Sequence, residues 1–137
     1  MLIHSVNRGQ TINHRYYIEN CLEPLIDKIS THTVKLHHDN AKPHVHKDVL
    51  SYLESKGIRV VPQPSNSPDL PPSNFWLFDR INRELTDQTD SNSLHRAVTA
   101  NINSVSKDDR KKTFDNWMKR MQLCVGNQGN YFEHLMK

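Results

Sequence analysis

Five of the seven prolines in this 137-residue chain fall in the run Pro62-Gln63-Pro64-Ser65-Asn66-Ser67-Pro68-Asp69-Leu70-Pro71-Pro72. Each proline removes a backbone donor and fixes φ, so the run can be neither helix nor central strand. It must be a stiff loop. Patterned segments lie close on both sides, which makes it a connector inside a domain rather than a free proline-rich ligand. A chain of this length supports one hydrophobic core, and no linker or internal repeat divides it, so residues 1–137 are read as a single domain.

Ahead of the loop the pattern is α/β. Leu2 to Val6 has the look of a strand's tail, which suggests an incomplete domain. Asn13 can cap a helix whose apolar residues Tyr17, Ile18, Cys21, Leu22, Leu25, Ile26 and Ile29 recur at helical spacing, with Pro24 forcing a kink or a break. The segment Thr33 to Asp39 alternates as a strand does. Pro43 suits the first turn of a helix carrying Val45, Val49, Leu50 and Leu53, which Gly57 stops, and Ile58 to Val61 reads as a second strand. Strand, helix, strand over residues 33–62 is a βαβ unit with a parallel pair. Asp39 then sits at a strand's C-terminal end, where open α/β sheets bind ligands.

Beyond the loop the pattern turns helical. Ser73 is placed to cap a helix with Phe75, Phe78, Ile81, Asn82 and Leu85 on one side and Asn74 in its first turn. Two further patterns are Leu94, Val98, Ile102, Val105 and then Phe114, Trp117, Met118, Met121, Val125, the last closed by Gly126 and Gly129.

Charge and composition exclude several functions. No apolar run approaches the roughly 20 residues that span a bilayer, and the first residues lack a signal peptide's basic and apolar regions, so a soluble, intracellular chain with no membrane partner is expected. Cys21 and Cys124 are too isolated for a disulfide framework or a CxxC metal site and are read as buried free thiols. Nine histidines show neither HExxH nor paired Cys/His spacing, which argues against zinc. A formal charge of +3 permits an anionic partner without requiring one.

Three segments together carry a resemblance: His38-Asp39-Asn40-Ala41-Lys42-Pro43-His44, then Val60-Val61-Pro62-Gln63-Pro64, then Ser67-Pro68-Asp69-Leu70-Pro71-Pro72-Ser73-Asn74-Phe75-Trp76-Leu77-Phe78. In order and spacing they resemble the catalytic domain of mariner-type transposases, whose pattern is close to HDNAxPH, LPxPPYSPDLAP and S-D-(F/Y)-x-L-F. The likeness runs from Gly9 to Phe132. It implies a ribonuclease-H-like, retroviral-integrase-type α/β fold with C-terminal helices packed on the sheet. It also implies Mg²⁺ or Mn²⁺ as cofactor and metal-dependent cleavage and strand transfer of DNA, in the nucleus, with no small-molecule substrate.

Within the resemblance, Asp39 matches the family's second catalytic acid. The 34 positions between residues 39 and 74 reproduce the family's interval to its third, where this chain has Asn74. Asp39 and Asn74 are therefore the expected metal ligands and catalytic residues, with Asn40 and His44 as candidate supports. An amide oxygen can touch a hard cation but brings no charge to a site that must hold two dications. The same Asn occurs in the mariner-derived part of a SET-domain fusion, to which the chain is also similar; nothing here resembles a SET domain. The family's first acid and its central strand would precede Leu2, and no residue here matches them. The expectation is a catalytically defective domain that binds DNA without sequence preference; a homodimer is the family's habit, and the alternative is a non-catalytic nucleic-acid or protein-binding module.

The remaining features have blander readings. Asp69 is read as bracing the proline loop, Phe75, Trp76 and Phe78 as core, and Lys107, Arg110, Lys111, Lys112, Lys119 and Arg120, interrupted by Asp108, Asp109 and Asp115, as a solvated helix face.

Overall fold

The structure, a computed structural model, describes residues 2–29, 34–65, 67–84 and 90–136. Thr33, Asn66 and Leu85, which enter the sequence reading, lie outside the described residues. Two compact units divide the chain, Met1–Ser65 and Asn66–Lys137.

In the first unit, Asn13 caps α1 (His14–Tyr17), its Oδ1 accepting from the Tyr16 N–H at 2.9 Å. The chain then widens into a π-helical turn, Ile18–Leu22, before resuming as α2 (Glu23–Ile26). Pro24 supplies the reason: it has no N–H to give, and a proline ring crowds the carbonyl four residues back, so the extra residue in the preceding turn absorbs the mismatch. The N–H of Glu23 accordingly reaches the carbonyl of Ile18, five residues away. Leu22, at the end of that turn, is buried.

Strands β1 (Lys35–His37) and β2 (Arg59–Val61) pair in parallel, Leu36 opposite Val60, with α3 (Lys47–Ser55) between them in sequence. The expected βαβ unit is present. Val49 and Leu53 on α3 are fully buried and meet Leu22 and Ile58, with Tyr17, Ile18, Ile26, Leu36, Tyr52 and Val60 packed around them. Val45 and Leu50, expected on the same face, are exposed instead.

The stop of α3 is a complete αL cap. Gly57 has φ +69°, its N–H reaches the Glu54 carbonyl at 2.9 Å, and the Ile58 N–H reaches Leu53 at 3.0 Å. These are the two bonds of a Schellman motif. They turn the chain directly from helix into β2 while Ile58 drops into the core beside Leu53.

Two expectations for this unit fail. Leu2 to Val6 is not a strand among the described residues, because a strand exists only through its ladder and no described segment pairs with it. Pro43 does not begin the helix either: residues 42–45 form a separate turn, with the His44 and Val45 N–H groups on the Ala41 carbonyl, and α3 starts later, capped by His46.

The second unit is helical. After the proline loop come a π-helical turn, Ser73–Leu77, then α4 (Phe78–Glu84), α5 (Ser91–Asn103), α6 (Lys107–Gly126) and a 3₁₀ turn, Glu133–Leu135. Ser73 lies inside the π-helical turn and makes no capping bond, contrary to its expected role. Asp90 caps α5 through Asn92 and Ser93, and Ser106 with Asp109 forms a capping box on α6. Leu70, Val105 and Phe132 are buried here. Arg120 donates to the Asp69 carbonyl at 2.7 Å and to Glu133 Oε1 at 2.8 Å, and stacks 4.3 Å from the Phe75 ring centre. It is thus the carbonyl of Asp69, rather than its carboxylate, that ties down the loop. Neither cysteine is in a disulfide, and both are half-buried. Among the described residues no helix is long and apolar enough to cross a membrane.

A Cβ added at Gly57 would meet no atom within 4 Å, so Gly57→Ala isolates the conformational cost of φ +69°. We expect a loss of about 1–2 kcal/mol in urea unfolding. Leu53→Ala, which empties the core, should lose about 2–5 kcal/mol.

Candidate functional site

The turn after β1 is built around one carboxylate. Asp39 Oδ1 accepts from the Ala41 N–H at 3.0 Å and pairs with His44 Nδ1 at 2.6 Å. The first bond is an Asx turn, the local geometry that Asp adopts when its side chain reaches the backbone two residues on. The second recruits His44, which the 42–45 turn brings back toward its start. Together they hold one carboxylate oxygen, while Oδ2 has no hydrogen-bond partner among the described residues and the side chain is 66% exposed.

Electrostatics keep that group ionised. The Ala41 N–H, chiefly, and then the bond and charge of His44 hold the Asp39 carboxyl below its ordinary value, against a smaller opposing effect of burial. His38 is lowered too, which for an imidazole favours the neutral form: burial, then the neighbouring His44, lowers its proton affinity, and its Nδ1 is buried without a partner among the described residues. Tyr17, packed 4.3 Å from the His44 ring and 6.3 Å from His38, is pushed up to about 12 by burial, with Cys21 and Asp39 adding to the shift. The wall behind Asp39 is therefore an aromatic cluster of Tyr17, His38 and His44, in which burial favours the neutral forms of Tyr17 and His38.

Gln63 fixes the other side. Asn40 Nδ2 donates to the Gln63 carbonyl at 2.9 Å, and His37 Nε2 meets Gln63 Oε1 at 2.9 Å. These two bonds fasten the exit of β1 to the residues that leave β2. The structure thus brings Asp39, Asn40 and His44 into one site in the first unit, His44 touching the carboxylate and Asn40 touching the neighbouring segment.

Asn74 lies in the second unit, in the π-helical turn that ends the proline loop. Its Nδ2 donates to the Pro68 carbonyl at 2.9 Å, and its Oδ1 accepts a long bond from Ser73 Oγ at 3.3 Å. The first contact needs an amide, since a carboxylate there would face a carbonyl oxygen with nothing to donate. Asn74 Oδ1 keeps most of its acceptor capacity.

Sequence reasoning misses Tyr17, His38 and Gln63. Periodicity absorbs Tyr17 into the apolar face of its helix and His38 into the alternation of β1, and Gln63 is hidden in the proline run. The usable signal for Gln63 is its place two residues after β2, level with the end of β1 in a parallel pair. On the basic stretch of α6, Lys111 pairs with Asp115 at 2.7 Å with both side chains exposed, an arrangement worth little energy and typical of a solvated helix face.

No protein-family model matches the chain. It is 31% identical over 137 residues to the human histone-lysine N-methyltransferase SETMAR, covering 93% of this chain and 20% of that protein. It is 28% identical over 141 residues to the Mariner Mos1 transposase of Drosophila mauritiana, covering 93% of this chain and 40% of that protein. The chain thus spans a minor part of both relatives. Among solved structures, it matches the Mos1 catalytic domain with raltegravir and Mg at a TM-score of 0.79 and 25% identity, over 90% of this chain and 67% of that one. It matches the Mos1 strand transfer complex at 0.83 and 26%, over 93% and 38% respectively.

The Asp39 carboxyl is lower in the folded protein than in the unfolded chain, so the folded state binds fewer protons there and its stabilising effect is lost as pH falls through the folded value. Urea unfolding between pH 7 and pH 3 should show the advantage of the parent over Asp39→Asn shrinking below about pH 4. For His38, likewise lowered, the unfolded chain takes up the proton first, so stability should already decline as pH falls through about 6.5, and His38→Leu should flatten that limb.

Proposed function

The chain is a homologue of the mariner transposases, matched to their catalytic domain, and from that premise we propose that it is a DNA-phosphodiester-processing domain whose chemistry is impaired at one ligand. The observation that carries this reading is the ionised, exposed Asp39 carboxylate at the end of a parallel strand, braced on one oxygen and open on the other.

The donor set fits a hard divalent cation. Following the family resemblance, Asp39 Oδ2 and Asn74 Oδ1 are each an oxygen donor of the kind Mg²⁺ or Mn²⁺ prefers. When bound, such an ion activates the attacking oxygen and stabilises the leaving one in phosphoryl transfer. The protein's own part is positional. Ala41 and His44 aim the Asp39 carboxylate and keep it charged, Asn40 and Gln63 hold the strand ends that carry it, and the Tyr17–His38–His44 cluster screens one flank from water. Asn74 offers an oxygen without a charge, so of these two positions only Asp39 brings a formal negative charge, where the family's pattern has two. We infer that metal binding is weakened and that these 137 residues do not cleave DNA as they stand. DNA, bound through phosphates without sequence preference, is the partner this reading implies, and the nucleus is its place of action.

The tests are Mn²⁺ titration and plasmid nicking. Restoring the acid with Asn74→Asp should tighten Mn²⁺ binding about tenfold, equivalent to about 1.4 kcal/mol, and Asp39→Ala should abolish it. Nicking of supercoiled DNA by the unaltered chain that disappears in Asp39→Ala would show an intact active centre and overturn the impaired reading. Mn²⁺ binding untouched by Asp39→Ala would remove Asp39 from the site.

A further inference from the structure

The start of α3 gathers three side chains that the Asp39 site does not use. His46 is its N-cap, Asp48 stands in its first turn, and His14 comes from α1. His14 Nε2 lies 3.4 Å from Asp48 Oδ2, and His46 Nδ1 lies 3.6 Å from the same oxygen. The two imidazole rings stack with centres 3.7 Å apart and planes 7° apart. All three ligand-type atoms fall within 4.8 Å of one another, and each side chain is a third to a half exposed.

We propose that His14, His46 and Asp48 form a binding site for a divalent transition metal of zinc's class, linking α1 to the start of α3. Two imidazoles and one carboxylate are a borderline-soft donor set that selects such ions over Mg²⁺. With bonds of about 2.0–2.2 Å in tetrahedral geometry, ligand atoms sit roughly 3.3–3.6 Å apart. Both edges to Asp48 already have that length. The remaining edge, between the two rings, closes when one imidazole tilts out of the stack, because stacked rings hold their in-plane lone pairs in parallel planes. Partial exposure admits the ion and leaves room for water to complete its shell.

A plain helix cap is the competing account. His46 Nδ1 does accept from the Asp48 N–H, but at 3.3 Å the bond is long, and histidine is not among the favoured caps. Capping also leaves unexplained why a second ring nitrogen, that of His14, approaches the same Asp48 oxygen. No local spacing announces the site, because His14 is 32 positions from His46 and reaches it only through the packing of α1 on α3.

The experiment is Co²⁺ titration of the untagged full chain by visible absorption, with Zn²⁺ competition. One equivalent should bind, Zn²⁺ should displace it, and millimolar Mg²⁺ should not. His14→Gln, His46→Asn and Asp48→Asn should each weaken Co²⁺ binding at least about tenfold, while Asp115→Asn, in the exposed ion pair of α6, should leave it unchanged. Zn²⁺ should raise the Tm of the parent but not of His14→Gln, as expected for a ligand that binds only the folded unit. His46→Asn keeps a capping side chain, and far-UV circular dichroism verifies each fold. If that variant unfolds, His14→Gln alone decides the question. Co²⁺ affinity in His14→Gln within twofold of the parent, or loss of binding in Asp115→Asn, would overturn the proposal.

Discussion

The fully buried contact of Val49 and Leu53 with Leu22 and Ile58 sets the position of everything functional in the first unit. Two aliphatic side chains one helical turn apart fix both the depth and the rotation of α3. Ile58 is drawn into the same cluster by the cap at Gly57, so β2 begins in a register that the helix itself determines. β1, paired residue for residue with β2, inherits that register. Its end, and hence the point at which Asp39 leaves the sheet, is set by an apolar contact that contains no ligand.

On that base the polar chemistry is local and economical. One oxygen of Asp39 is consumed by its own turn, through Ala41 and His44, and the other is left exposed. Such division of a carboxylate between a structural and a free oxygen fixes its direction without lowering its availability. The rings behind it are neutral for different reasons, Tyr17 because burial raises its proton affinity and His38 because burial lowers it. Burial penalises whichever form carries charge, so the two residues reach the same state from opposite sides.

How much of this is legible in the sequence depends on whether the signal is local. Asn13 as cap, Gly57 as stop, the parallel strand pair and Asp39 at its end are all readable, since each rests on a residue's own backbone preference or on short-range periodicity. Face assignments beyond a π-helical turn are not. Grouping Phe75, Phe78 and Ile81 assumes 3.6 residues per turn, but the wider turn at Ser73–Leu77 inserts a residue and rotates the helix beyond it. Phe75 meets Arg120, and Phe78 points to solvent at 53% exposure. Pro43 misleads for a related reason: proline is at home in the first helical turn, yet it fits a separate turn equally well, and here the Asp39–His44 pair stabilises the second choice. The meeting of His14 with His46 cannot be read at all, because it depends on tertiary packing.

The hydrogen bond from Asn74 to the Pro68 carbonyl bears on what an amide does at this position. Exchanging an acid for its amide at this position discards charge and, in the same step, creates a donor that the proline loop can use. A carboxylate there has no donor for the Pro68 carbonyl, so Asn74→Asp exchanges one exposed loop contact for a negative charge. Charge and loop bracing are thus set against each other at a single side chain.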